Sequence, residues 1–118
     1  SGKIAPRANV VANLTILIPN SDTMDQTSVT NLSTALFVYA PTGSPVDGQK
    51  LLIRIKDNGT AQSLTWNVTT GGGTVGYRQG VTLPPATLGN SSKVMYVGCI
   101  YNANTGDTCW DVVSVVAS

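Results

Sequence analysis

Glutamate and histidine are both absent from this chain of 118 residues, and cysteine occurs only twice, at Cys99 and Cys109. Without histidine, no side chain titrates unperturbed between about pH 5 and 8, and a nucleophile such as Cys99 has no imidazole base. Two thiols without an imidazole also fall short of a four-ligand metal centre. All acidity comes from six aspartates, and Asp22, Asp25, Asp47, Asp57 and Asp107 sit in turn-like contexts. Asp111, inside a strand-like run beside Trp110, reads as the outward member of an alternating strand, so no facing pair of carboxylates supports glycoside hydrolysis. Asp22 and Asp25 match no calcium-loop spacing, and Gly71 to Gly73 lacks the Lys-Ser or Lys-Thr sequel of a phosphate loop. No cofactor is implied. Charged residues make up 11% of the chain and the net charge is +1, which argues against a nucleic-acid partner. No apolar run approaches the roughly 20 residues of a membrane helix, and no signal-peptide pattern is present.

What the chain has in quantity is β-branched residues, threonine and punctuating Gly and Pro. Val10 to Ile18 alternates with period two and reads as one strand, stopped by Pro19-Asn20. Ser21 to Ser33 is polar and reads as a long connection. Thr34 to Ala40 is a short apolar run ended by Pro41, Gly43 and Pro45. Tyr77-Arg78 reads as a Gly-flanked turn or short strand. Val81 to Leu83 reads as a short strand closed by Pro84-Pro85, which belongs at a sheet edge or runs as extended polyproline structure. Lys93 to Tyr101 and Cys109 to Val116 form a final hairpin. Five Asn-x-Ser/Thr triplets, at Asn13, Asn31, Asn58, Asn67 and Asn90, are what an Asn- and Thr-rich chain produces by chance and receive no role.

The segment Asp47 to Asn67, DGQKLLIRIKDNGTAQSLTWN, carries the sharpest local expectation. Asn58-Gly59 tolerates the two positive backbone angles of a type I′ turn. With that turn, Ile53 faces Leu64 and Leu51 faces Trp66 on an apolar side, while Arg54 faces Ser63 and Lys50 faces Asn67 on a polar one. In the final hairpin, a pairing of Tyr101 with Asp107 sets Cys99 opposite Cys109, within reach of a disulfide.

The blocks GSPVDGQKLLIRIKDNGTAQSLTW, GVTLP (Gly80 to Pro84), VGCIYN (Val97 to Asn102) and WDVVSV (Trp110 to Val115) together resemble a module of tailed-bacteriophage virion proteins. The resemblance covers most of the chain after about Pro41, and Ser1 to Ala40 fits it only loosely. It implies a non-enzymatic, β-rich structural piece of a head-decoration protein or of a tail or head fibre. Assembly in a bacterial cytoplasm, which such a role implies, keeps thiols reduced and sets free thiols at Cys99 and Cys109 against the bridge.

These readings combine into one expectation. The fold is all-β, an antiparallel β-sandwich of jelly-roll type with about seven to eight short strands. Residues 1–9 form an N-terminal arm and 10–118 a single β-sandwich domain. Ser1-Gly2-Lys3 reads either as the start left by removal of an initiator Met, giving a complete small gene product, or as a tag remnant. The function expected is a capsid decoration or cement protein on the virion head surface, a homotrimer attached to the major capsid protein or another virion protein. The alternative is a fibre module binding host-surface carbohydrate, with Tyr77, Tyr101 and Trp110 as stacking candidates. Lys3, Ile4, Pro6 and Arg7 of the arm, with Leu52, Arg54, Tyr77 and Arg78, are the expected partner-contact residues. Outward apolar residues such as Leu52, Met95 and Val97 point to oligomerisation.

Overall fold

Nine strands and no helix form within residues 4–72 and 75–118, which the computed structural model describes. They are β1 (Ala8–Ala12), β2 (Ile16–Leu17), β3 (Gln26–Leu32), β4 (Leu36–Val38), β5 (Lys50–Asp57), β6 (Leu64–Trp66), β7 (Tyr77–Arg78), β8 (Met95–Asn102) and β9 (Cys109–Ala117). One sheet has six strands in the order β1-β3-β5-β8-β9-β7, and the other has three in the order β2-β4-β6. Odd-numbered strands up to β7 lie in the first sheet and even-numbered strands up to β6 in the second, so the chain steps from one sheet to the other at every connection as far as β7. Strands that return to a sheet after such a step run the same way, and β1–β3, β3–β5, β2–β4 and β4–β6 are all parallel. Only β5–β8 and β8–β9 are antiparallel, whereas β7 lies parallel to β9. The all-β expectation stands at the level of a strand-rich chain with no helix among the described residues, but the sheets are mixed and their connectivity is a coil of three rungs finished by a hairpin.

Each rung leaves the six-stranded sheet at an asparagine. Asn13 and Asn31 both hold the left-handed backbone conformation, with φ of 45° and 49°, and the third exit is Asn58-Gly59, where Gly59 has φ of 104°. Asparagine tolerates this region because its short side chain bonds nearby backbone. Asn13 Oδ1 accepts the Ser33 amide, which links the first corner to the second, and the Asn58 amide donates to Leu32 O, which links the second to the third. At Asn31 the register of β3 against β5 slips by one residue, turning Leu32 inward against the core.

Three sequence expectations change accordingly. Val10 to Ile18 is two strands in different sheets, broken at Asn13. Ser21 to Ser33 contains β3, whose Thr27 and Ser28 are buried despite their polarity; Ser28 Oγ accepts Arg54 Nε at 2.8 Å. The Asn58-Gly59 hairpin does not form: Ile53 lies between Thr27 and Val97, and Leu64 pairs with Leu36 in the other sheet. Alternation fixes which face of a strand is buried and not which strand lies beside it, so two strands facing each other across a core carry the same pattern as two neighbours. Leu51, Ile53, Leu64 and Trp66 are accordingly all buried, as the pattern requires.

The final hairpin forms, in a different register. A bulge after Gly98 sets Cys99 opposite Val112 and Cys109 opposite Asn102, so the cysteines do not face each other, and both thiols are free. Val81 to Leu83 is not a strand. Pro84-Pro85 runs along the outer side of β6, where Pro84 O accepts Trp66 Nε1 at 2.9 Å and Pro85 O accepts the Leu64 amide at 2.8 Å. Residues without a donor can still cover an edge through their carbonyls.

Buried side chains of both sheets form one core, including Leu17, Leu36, Val38 and Trp66 from the smaller sheet and Val29, Ile53, Ile55 and Val97 from the larger. Met95 and Val97, expected on an outer face, belong to this core. Trp66 meets Tyr77 edge to face with ring centroids 5.7 Å apart, and Tyr77 Oη donates to Tyr39 O at 2.9 Å. Trp66 is 8% exposed. Trp66→Ala is expected to cost about 3–5 kcal/mol of unfolding free energy, measured by urea denaturation; Asn13→Val, which forces a β-branched residue into a left-handed corner, should also destabilise.

Candidate functional site

Most charged groups that could serve a partner are engaged within the chain. Arg7 donates through Nε and Nη2 to the two Asp25 carboxylate oxygens and through Nη1 to Asp22 O, while its amide donates to Asp25 Oδ2. This carboxylate is held down to about 2, chiefly by the Arg7 side-chain hydrogen bond. Arg7 therefore fastens the chain entry onto the start of β3 rather than reaching outward, and the expected arm ends there. Ile4 and Pro6 are exposed. Lys3 lies outside the described residues.

Arg78 is spent in the same way. It forms a bidentate pair with Asp111, Nε to Oδ1 at 2.6 Å and Nη2 to Oδ2 at 3.0 Å, and Nη1 reaches Asp107 at 2.7 Å. Asp111 also accepts Asn102 Nδ2, and its carboxyl is lowered first of all by Arg78. The cluster joins β7, β9 and the turn between β8 and β9; Asp111 lies on the outward side of β9, between buried Trp110 and Val112, as its alternation requires, and it is paired there with Arg78. Tyr77, the neighbour expected to contact a partner, is fully buried. Trp110 is buried too, with Tyr101 tilted against it at 5.2 Å, so two of the three rings considered for sugar stacking are core.

Asp57 is a carboxylate buried without a cation, 3% exposed at the end of β5. Oδ1 accepts the Gly59 amide at 2.9 Å and Oδ2 the Gly89 amide at 2.6 Å, with Thr87 and the Asn90 amide adding to the set. Burial pushes its pKa up, but these donors together outweigh burial and the net shift is downward. Asp57 thus joins the third corner to the 87–90 loop. Its place in a turn dipeptide was readable from sequence; its distant partners were not.

Cys99 is buried, and burial alone pushes its thiol up to about 12. Burial also raises the Cys109 thiol, beside Asp111. Neither is a ready nucleophile at neutral pH. Among the described residues no group of three or more His, Cys, Asp or Glu is placed to hold a metal.

Two sheet faces remain. On the outer face of the larger sheet, one row runs Val10, Ser28, Arg54, Tyr96, Val116 and the next runs Ala8, Gln26, Leu52, Gly98, Ser114. Lys50, Arg54 and Lys56 line β5 on this face, and none forms a salt bridge among those the described residues show. Gly98 leaves a shallow groove of about 730 Å³ bordered by Pro6, Gln26, Lys50, Leu52, Ile100 and Val113. A Cβ at Gly98 would fall 2.5 Å from Ser114 Oγ, so any larger residue there would have to displace the Ser114 side chain. Leu52 and Arg54, two of the residues expected from sequence, thus share one surface; Tyr77 and Arg78 do not join it. On the smaller sheet, Phe37 and Tyr39 stack at 4.4 Å with Ile16, Ile18 and Thr65 beside them, and Tyr39 is 40% exposed. The Thr34 to Ala40 run contained this pair, but nothing in sequence said which of its alternating residues faced out.

No protein-family model, curated protein or solved structure matches the chain.

Asp57 has a folded-state pKa below its unfolded one, so its contribution is full at neutral pH and is lost as pH falls through the folded value, below about pH 4. Asp57→Ala should cost about 2 kcal/mol at pH 7, and thermal melts should show the difference from the parent protein shrinking as pH falls below 4. In the native protein neither thiol should react with a thiol-specific reagent at pH 8, and both should react in denaturant.

Proposed function

We propose that this chain is a non-catalytic structural module of a tailed-phage virion, a capsid decoration protein that attaches to the shell through the outer face of its larger sheet. The observation that carries this reading is the division of side chains. Arg7, Arg78, Asp25, Asp57 and Asp111 are committed to holding turns and strand ends together, whereas Leu52, Val113, Val116, Lys50 and Lys56 lie on an open face with no structural partner. Val113 and Val116 are 50% and 55% exposed on this face, and exposed apolar side chains rimmed by polar ones are what a docking surface offers. The sequence resemblance supports the virion setting, and the open face supports docking in preference to catalysis.

A second reading, a fibre module that binds carbohydrate, draws support from the Phe37–Tyr39 stack, an aromatic platform beside the Thr65 hydroxyl. The two readings use opposite sides of the molecule, and separate variants distinguish them.

Leu52→Glu combined with Val113→Glu should remove the protein from particles of the encoding phage, read by gel analysis of purified virions, while the melting temperature stays within a few degrees of the parent. Full incorporation of the variant would refute the docking face. Tyr39→Ala should leave incorporation intact; loss of binding on a glycan array by this variant would favour the fibre reading.

A further inference from the structure

The two sheets share one bare edge. At the far side of the molecule the edges are guarded: β6 is covered by Pro85 O accepting the Leu64 amide and by the Tyr77 amide donating to Asn67 O, and β7 carries the charged Arg78, fastened to Asp111. At the near side, β1 ends the larger sheet and β2 ends the smaller, and among the described residues no strand pairs with the outer side of either. The sequence of β1, Ala-Asn-Val-Val-Ala, has no charge, proline or glycine, and its ladder with β3 runs without a bulge. Natural proteins normally place one of these devices on an exposed edge.

The unpaired groups can be named. Arg7 O accepts from Gln26 and the Asn13 amide donates to Thr30 O, so the odd-numbered residues of this stretch face β3. The N–H and C=O groups of Ala8, Val10 and Ala12 therefore point away from the sheet. On β2, Thr15 O and Leu17 O accept from Phe37 and Tyr39, which leaves the backbone groups of Ile16 and Ile18 pointing away too. Val10 is 62% exposed, and Ile16 and Ile18 are each about half exposed.

We propose that this edge pairs with the same edge of a second copy of the chain, continuing both sheets across a two-fold axis. The occupant follows from the double edge. A single extended peptide could add to β1 or to β2 but not to both, whereas a second copy brings two strands at the matching layer separation. A two-fold axis normal to the sheets turns β1 antiparallel to its mate and β2 antiparallel to its mate in one operation. Centred on Val10, the pairing sets Val10 opposite itself and Ala8 opposite Ala12, and each such pair exchanges two backbone hydrogen bonds because their outward groups have the same parity. No charge from β1 or β2 meets its own kind across the axis, a condition that a self-pairing edge has to meet. The unit is then a dimer, in place of the trimer expected for a decoration protein, and this holds wherever the protein is placed in a particle.

Light scattering and sedimentation of the full chain over a concentration series test the pairing. The parent protein should approach twice the 12.2 kDa chain mass. Val10→Pro removes an outward donor without touching the β3 ladder and should weaken the dimer by roughly 100-fold or more. Val10→Lys should be monomeric and native by tryptophan fluorescence, and mixing it with Val10→Asp should restore a dimer. In the parent protein the Val10 amide should exchange slowly with solvent. A monomer at every concentration, a trimer, or a dimer that survives both Val10→Pro and Val10→Lys would overturn the proposal.

Discussion

Three corners, at Asn13, Asn31 and Asn58-Gly59, determine the architecture. Each takes the chain out of the six-stranded sheet at the end of a strand and sends it into the three-stranded one, so the next strand in sequence is never the next strand in the sheet until the final hairpin. Parallel pairing is a consequence of this stepping, because a chain that leaves a sheet and comes back through a second layer re-enters in the same direction. The corners are held together by bonds from one to the next: Asn13 to Ser33, Asn58 to Leu32, and Asp57 to Gly59 and the 87–90 loop. Buried Asp57 at the last corner is stable as a charge because four donors surround it, which places a hydrogen-bonded anion where the coil gives way to the closing segment.

The corners also explain how far the sequence could be read. Strand character was legible almost everywhere, and so was the burial of Leu51, Ile53, Leu64 and Trp66, since period-two alternation reports a face directly. Partners were not legible, because a face-to-face pair across a core and a side-by-side pair in a sheet impose the same alternation. β3 escaped notice for a different reason: Thr27, Ser28, Thr30 and Asn31 look like a loop, and only the flanking strands supply the burial and hydrogen bonds that make them a central strand. A signal for the coil was nevertheless present. The triplets at Asn13, Asn31 and Asn58 mark the three exits from the larger sheet: Asn13 and Asn58 directly follow β1 and β5, Asn31 is the last residue but one of β3, and the next strand follows each within a few residues. They appear accidental only when read as glycosylation acceptors.

For the candidate site, residue chemistry was more legible than residue placement. Arginine at positions 7 and 78 suggested contacts, and both do make contacts, but with Asp25, Asp107 and Asp111 of the same chain. Tyrosine and tryptophan suggested ring-stacking surfaces, and Tyr77 and Trp110 instead fill the core, while the exposed pair, Phe37 and Tyr39, came from a run read only as an apolar strand. Leu52 and Arg54 were placed correctly on an outer face because the alternation of β5 is unambiguous. The contacts proposed for this chain use the remainder: one broad face and one double edge that the internal bonding leaves unused.

The strand partners of Ile53 provide the most direct check on this architecture. In an isotope-labelled sample, proton–proton contacts measured by NMR should connect the Ile53 backbone to Thr27 on one side and to Val97 on the other, with none to Leu64. Cross-strand contacts between Ile53 and Leu64, with none to Thr27, would restore a local hairpin at Asn58-Gly59 and contradict the stepped coil on which the corners, the parallel sheets and the open edge all depend.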